Sequence, residues 1–260
     1  MDITDLREKY IPTYLVCLED WSDEMKEAGD HKRLWYNEMK NRGLGVKLAL
    51  ENEQVVGMIQ YVPIEYSFAE GQNLYLITCI WVHGYKEGIG NFQKRGIGRA
   101  LLQAAEDDVK SKGSNGIVAW GLSLPFWMRA KWFKKQGYTK VDKQGMQILL
   151  WKPFTENAIP PTWFKQKKKP KLVKGKVKVT AFINGWCPAQ NIVFERAKRA
   201  VKEFGDKVEF EEINTFSRET FLEWGISDAL FIDNKDVRTG PPPSYEKIKK
   251  LIAKRVKRLG

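Results

Sequence analysis

The sequence predicts an α/β protein in two parts, a larger first domain built on a mixed sheet and a smaller second domain of alternating strands and helices. Three observations predict it. Helical and strand periodicities alternate throughout residues 1–154, and again after residue 175. A glycine pair, Gly96 and Gly98, separates the most apolar strand from the helix after it. Charge is unevenly divided: residues 1–154 hold 21 Lys/Arg against 19 Asp/Glu, whereas residues 155–260 hold 23 against 13. The expected boundaries are 1–154, a Pro/Lys-rich linker over 155–175, and 176–260.

Pro12–Glu27 and His31–Asn41 carry apolar residues at helical spacing, and Gly43 and Gly45 stop the second helix. Val46–Glu51 and Gln54–Tyr61 read as a hairpin about Asn52-Glu53. Asn73–His83 (NLYLITCIWVH) is a long apolar strand, central and covered on both faces. Gly98–Ser111 is an amphipathic helix, Gly116–Gly121 a buried strand and Phe126–Gln136 a short helix stopped by Gly137. Tyr138–Val141 and Met146–Trp151 close the first domain as a strand pair.

With 43% hydrophobic residues among 260, the chain can bury real cores, which excludes wholesale disorder. Cys17, Cys79 and Cys187 lie too far apart for a disulfide framework or a clustered zinc site, so no metal is expected. The N-terminus carries acids and lacks an apolar signal core, and no apolar run approaches ~20 residues, so the expectation is a cytoplasmic protein with no membrane partner. Lys165–Lys178 contains eight lysines and no acid. Aromatic residues are not interleaved with them, so a solvated linker entering a lysine-guarded strand fits better than a specific nucleic-acid site.

The chemistry sits in Gln93-Lys94-Arg95-Gly96-Ile97-Gly98-Arg99-Ala100. Glycines before a helix let a ligand approach the backbone, and the unpaired N–H groups at the helix start, with Arg95 and Arg99, make a diphosphate cradle. Gln93-x-x-Gly96-x-Gly98, between an apolar strand and RALL, resembles the signature of the GCN5-related N-acetyltransferases (GNAT). The order of elements over most of 1–154 is similar to theirs as well. The resemblance implies the GNAT acyl-CoA N-acyltransferase fold, with acetyl-CoA as cosubstrate. It implies that Arg95 to Ala100 hold the diphosphate and that Ile80, Trp81 and Val82 pair with the pantetheine arm as a strand would. An acceptor amine then attacks the thioester directly in a ternary complex, while a strand N–H stabilises the oxyanion.

Two departures stand out. Where the family often places an acidic Tyr, this chain has Phe133, and neighbouring Trp132 cannot replace it. The loop Gly84–Phe92 is longer than the family usually has. For the general base, His83 at the strand end is the leading candidate, its alternative being a hydrogen bond to a loop carbonyl. Glu87 and Glu65 are weaker candidates, Cys79 reads as core, and His31 as surface. Trp21, Trp35, Tyr36, Tyr66, Phe68 and Trp127, with Glu19, Asp20, Asp23 and Glu24, would suit a cationic amine, on a small molecule or a peptide. A homodimer is left open.

The second domain reads as strand Lys176–Ile183, helix Pro188–Phe204, strand Lys207–Asn214, helix Arg218–Trp224, strand Ala229–Asp233 and helix Ser244–Val256. With Trp186-Cys187-Pro188 at its first strand–helix junction it resembles thioredoxin, and the pairing of domains resembles the YoaP-like acetyltransferases. Gln190 stands where a resolving cysteine would be and no proline precedes the third strand, so dithiol exchange is not expected. Cys187 keeps a helix-start position that favours a thiolate. The alternatives to an acetyltransferase are a non-catalytic CoA-binding scaffold and a monothiol redox protein acting through Cys187.

Overall fold

A computed structural model describes residues 1–124, 128–237 and 241–259. The chain divides into two compact units: Met1–Trp21 with Asn37–Phe164, and Ser22–Tyr36 with Lys165–Gly260.

In chain order the first part contains β1 (Asp2–Asp5), α1 (Ile11–Leu15), α2 (Asp23–Lys26), α3 (His31–Met39), β2 (Gly45–Glu51), β3 (Gln54–Pro63), β4 (Ala69–Glu70), β5 (Leu74–Val82), α4 (Ile97–Ser111), β6 (Gly116–Leu122), α5 (Ala130–Lys135), β7 (Thr139–Gln144), β8 (Gln147–Pro153) and β9 (Thr162–Trp163). The first unit is a seven-stranded sheet in the order β1-β2-β3-β5-β6-β8-β7. Its neighbours are antiparallel except β5 and β6, which run parallel. Helix α4 makes that crossover and lays Ile97, Leu101, Leu102, Ala105 and Val109 into the core.

The long helix expected over Pro12–Glu27 is broken. Cys17 and Leu18 take φ of 52° and 67°, and Leu18 N–H returns to Thr13 O at 3.0 Å, which closes α1 and buries the Leu18 side chain. Strand β1 was not expected from its acidic sequence; it pairs Ile3 with Ala49 at the sheet edge. Within the stretch read as linker, Thr162–Trp163 pairs with β4 and stacks Trp163 on Phe68. The expected helix Phe126–Gln136 is seen as α5; Phe126 and Trp127 lie outside the described residues.

The second unit holds β10 (Val177–Ile183), α6 (Pro188–Val201), β11 (Val208–Asn214), α7 (Arg218–Trp224), β12 (Ala229–Ile232), β13 (Lys235–Asp236) and α8 (Tyr245–Val256). Its sheet order is β11-β10-β12-β13, with β10 parallel to β11 and antiparallel to β12. Val177, Val179, Ala181 and Ile183 of the central strand pack with Phe194 and Ala197 of α6 and Ile248 and Ile252 of α8. Ser217 and Ser244 cap α7 and α8 by accepting from the N–H groups of Thr220 and Lys247. Helix α2 packs on α6 within this unit. Buried Arg196 bonds Glu24 at 2.9 Å, Glu27 at 2.8 Å and the Pro243 carbonyl at 3.1 Å, while Arg199 also reaches Glu27. Those two guanidiniums hold the Glu27 carboxyl down at about 2.

Candidate active site

The site begins where two parallel strands part. β5 pairs with β6 only from Leu74 to Leu76, although β6 continues along β8 as far as Leu122. The cause is a bulge: Gln60 faces Cys79 and Tyr61 faces Ile77, so Thr78 is the extra residue. A buried relay fixes it. The Tyr14 hydroxyl donates to Gln60 Oε1 at 2.9 Å, and Gln60 Nε2 donates to Thr78 Oγ1 at 2.8 Å. In place of a strand N–H, the Trp120 indole donates to the Thr78 carbonyl at 3.0 Å.

Beyond the bulge Ile80, Trp81 and Val82 pair with β3 alone. The His83 N–H donates to Val56 O at 3.0 Å, toward β3. Since backbone groups alternate along a strand, those of Val82 and Ile80 face the opposite, open edge. The Gln93 side-chain amide donates to Val82 O at 3.2 Å from that edge, so Gln93 fastens the loop to the strand end.

The loop then enters α4. Gly96 caps the helix at φ 82°, and a Cβ there would meet nothing within 4 Å. Its carbonyl accepts from the N–H groups of Arg99 and Ala100. The N–H groups of Ile97 and Gly98 have no acceptor among the described residues, at the positive end of a 15-residue helix. Trp132 and Val82 wall the approach to Gly98. Arg99 is exposed and makes no ion pair among the described residues. Arg95 is turned aside to Glu51 (3.4 Å), Asn91 O (3.3 Å) and the Phe92 ring. Backbone donors, one cation and an open strand edge therefore converge at one end of the sheet, a fit for an extended thioester carrying a diphosphate.

The sequence profile of the Acetyltransferase (GNAT) family matches residues 3–138, just over half the chain. The chain belongs to that family. This GNAT protein matches none of the curated proteins. Solved structures similar to it include an aminoglycoside 6'-acetyltransferase type Ii, at 19% identity over 60% of this chain and 99% of that one, with a TM-score of 0.46. Others are the PaiA N-acetyltransferase of Thermoplasma acidophilum in complex with coenzyme A (17%, 59% and 100%, TM-score 0.43) and a GNAT acetyltransferase of Brucella melitensis in complex with acetyl-CoA (18%, 61% and 90%, TM-score 0.40).

The GNAT expectations for proton transfer meet a different picture. His83 is wholly buried; its Nε2 accepts the Trp21 indole N–H at 3.0 Å, and its Nδ1 lies 2.7 Å from Gly90 O. An indole only donates, so the ring carries its proton on Nδ1 and both nitrogens are engaged. Glu87 and Glu65 are exposed, Glu87 on the loop after the strand. Phe133 is fully buried between Trp132 and Tyr138. Tyr138, in contact with it, bonds Glu106 at 3.1 Å in the core, where burial pushes its hydroxyl well above the usual range.

The predicted acceptor aromatics and acids do not gather in one place. Trp35 is buried and, with Tyr36, Asp23 and Glu24, belongs to the second unit; Glu24 is taken by Arg196 and Asp23 by Lys26. Trp21 sits at the strand end beside Trp81, expected there only as part of the strand facing the pantetheine, and beside Tyr85, which sequence reasoning had not singled out. His31, expected on the surface, is half-buried against Phe194, with Nε2 2.7 Å from Glu195. Cys79 is buried, and Cys187 is buried at the cap of α6. No group of His, Cys, Asp or Glu able to hold a metal occurs among the described residues, and no helix there is long and apolar enough to cross a membrane.

Proposed function

We propose that this GNAT protein moves the acetyl group of acetyl-CoA onto a primary amine of a small molecule or peptide, in the cytoplasm, by direct attack in a ternary complex. One observation carries the reading: the backbone of Ile80 and Val82 that faces away from β3, with Val82 O alone held by Gln93, lies beside the open N-terminus of α4. Ile97 and Gly98 N–H groups with Arg99 receive the diphosphate, and Ile80 to Val82 receive the pantetheine amides. The Val82 N–H, on the open edge, is the donor for the thioester oxygen as it takes up charge.

The amine nitrogen forms its bond to the acetyl carbon as the carbon–sulfur bond breaks. Its proton leaves through Glu87 or a water beside it, since both His83 nitrogens are occupied. The thiolate takes its proton from water, because Phe133 has none to give. Titration calorimetry with acetyl-CoA, followed by release of free CoA thiol with an amine panel, tests this. No heat at millimolar cofactor would end the reading.

The locked His83 and the missing hydroxyl at Phe133 favour a second reading, a CoA-binding scaffold without turnover. Binding with no thiol release across the panel would select it. For the second unit, the parallel β10–β11 pair and Cys187-Pro188 opening α6 support a thioredoxin-like domain with a single thiol. Mass spectrometry after brief iodoacetamide at pH 6 tests the thiol: an unlabelled Cys187 makes the domain a docking or dimerisation module.

A further inference from the structure

In the second unit, α8 carries basic side chains that the chain itself does not neutralise. Lys247, Lys250, Lys254 and Lys257 recur at three- and four-residue spacing, so they line one face of the helix, and Arg258 extends it. Each is exposed and forms no ion pair among the described residues. The cations around them are paired: Lys249 with Glu203, Arg255 with Asp233, Lys178 with Glu209 and Glu211. On α6, Arg196, Lys198 and Arg199 all have carboxylate partners as well. Glu246 in the first turn of α8 and Asp206 stay exposed, too few to balance the stripe. Contacts at Asp233 fix where the stripe ends. Asp233 accepts the Lys178 N–H at 3.2 Å, returns its own N–H to Lys178 O at 2.6 Å and lies 3.8 Å from Arg255, so the last turn of α8 sits at the start of β10. There Val177 pairs with Val208 in parallel register, which brings Lys176 and Lys207 into the sheet side by side, with Lys174 just before them. These lysines too are exposed and form no ion pair among the described residues. Cys187 lies beyond the opposite end of β10.

We propose that this face of the second unit binds the phosphodiester backbone of a nucleic-acid duplex, without regard to sequence. From Lys247 to Lys257 the helix rises about 15 Å, an axial length over which one strand of a duplex presents roughly four phosphates. The partner follows from what the face lacks. Ile248 and Ile252 are buried, and Leu251 and Val256 pack on the same core, so the stripe offers no apolar side chain to a lipid surface. Leu259, past the helix end, is a single exposed apolar residue. Tyr245, the aromatic residue of α8, is bonded to Glu203 and packs on the core, so the unstacked bases of a single strand find no platform among the lysines. No Asn, Gln, Ser or Thr stands in the stripe to read base edges, and a lysine meets phosphate as a point charge.

The test is fluorescence anisotropy of a labelled DNA duplex of about 20 base pairs with the full chain. Wild type is expected to bind at micromolar protein in about 50 mM salt and to lose on the order of a hundredfold by about 200 mM, the slope for roughly four neutralised phosphates. The triple variant Lys250→Glu, Lys254→Glu, Lys257→Glu should weaken binding at least about tenfold and more than halve the salt slope, with its urea midpoint unchanged. Gln at the same positions should give an intermediate loss. Lys167→Glu, Lys169→Glu, Lys171→Glu alters net charge equally but leaves the stripe whole, and should cost less than about threefold. An RNA duplex of the same length should bind within about fivefold of DNA, because phosphates alone are touched. The proposal is overturned if wild type fails to bind, if affinity ignores salt, or if both charge-reversal variants fall equally. It is also overturned if the RNA and DNA duplexes differ more widely, or if a single strand or phosphatidylserine vesicles bind more tightly than the duplex. Binding is read without acetyl-CoA, so its failure leaves the acetyl-transfer reading untouched.

Discussion

Each unit has a buried strand that runs through a left-handed glycine into a long helix. Gly96 before α4 and Gly185 before α6 have almost the same φ, 82° and 81°. Their surroundings are opposite. A Cβ on Gly96 meets nothing within 4 Å, whereas one on Gly185 would lie 2.2 Å from the Phe216 ring and 2.8 Å from His31 O. The Asn184 side chain also accepts the Trp186 N–H and donates to Ser227 and Asp228 at 3.0 Å each, so the second junction is filled by its own chain. The same left-handed φ stands open in one unit and is packed in by its own chain in the other. The difference lies in what packs beyond it, which no short motif records.

The largest expected effect sharpens that contrast. Gly185→Ala must displace Phe216 or the His31 backbone and should cost about 2–4 kcal/mol in chemical denaturation, with acetyl-CoA affinity unchanged in whatever folds. Gly96→Ala should show the reverse. It costs only about 1 kcal/mol for the positive φ, but it weakens acetyl-CoA on the order of tenfold by calorimetry, because the new methyl stands in the approach to the helix start. Equal effects on stability would break the comparison.

Next comes Arg196→Ala, which strips the buried guanidinium from Glu24, Glu27 and the Pro243 carbonyl. A loss of about 2 kcal/mol is expected, below the usual figure for a buried pair because Glu24 is half exposed. Since Glu27 is depressed from 4.5 to about 2 in the folded chain, its share of stability is full above about pH 4.5 and drains away as pH falls toward 2. Urea midpoints measured from pH 6 to pH 2 should therefore fall less steeply in the variant.

The smallest effect belongs to Asp228, beside the filled junction. Burial raises its carboxyl from 3.8 to about 6, against the pull of the Asn184 amide. Here the folded chain binds the proton more tightly, so the group favours folding below about pH 4 and progressively opposes it as pH rises through 6. Asp228→Asn should raise stability by about 1 kcal/mol at pH 7.5 and by nothing at pH 3.5. A loss at pH 7.5 would mean that the carboxylate is held by more than Asn184.

The strands and helices were legible wherever apolar spacing was strong: α4 and β5 fall within a residue of expectation because the buried stripe of the helix and both faces of the strand are written in side-chain type. The turn between them was legible too, since the glycine pair marks the junction where Gly96 takes φ 82° and caps α4. What escaped was set by long-range contacts. The break after α1 needs Leu18 to find a core, β1 needs an edge to join, and His83 reads as a base until Trp21, 62 residues away, is seen to hold its second nitrogen. Glu24 escaped for the same reason, because its partner Arg196 lies 172 residues further on.

That separation has a consequence for the making of the protein. Ser22–Tyr36 leaves the ribosome early yet belongs to the unit completed last, so Glu24 and Glu27 wait for Arg196 while most of the intervening chain is translated. During that interval the peptide between Trp21 and Asn37 has no mate. A gene cut back to residue 164 would make the wait permanent.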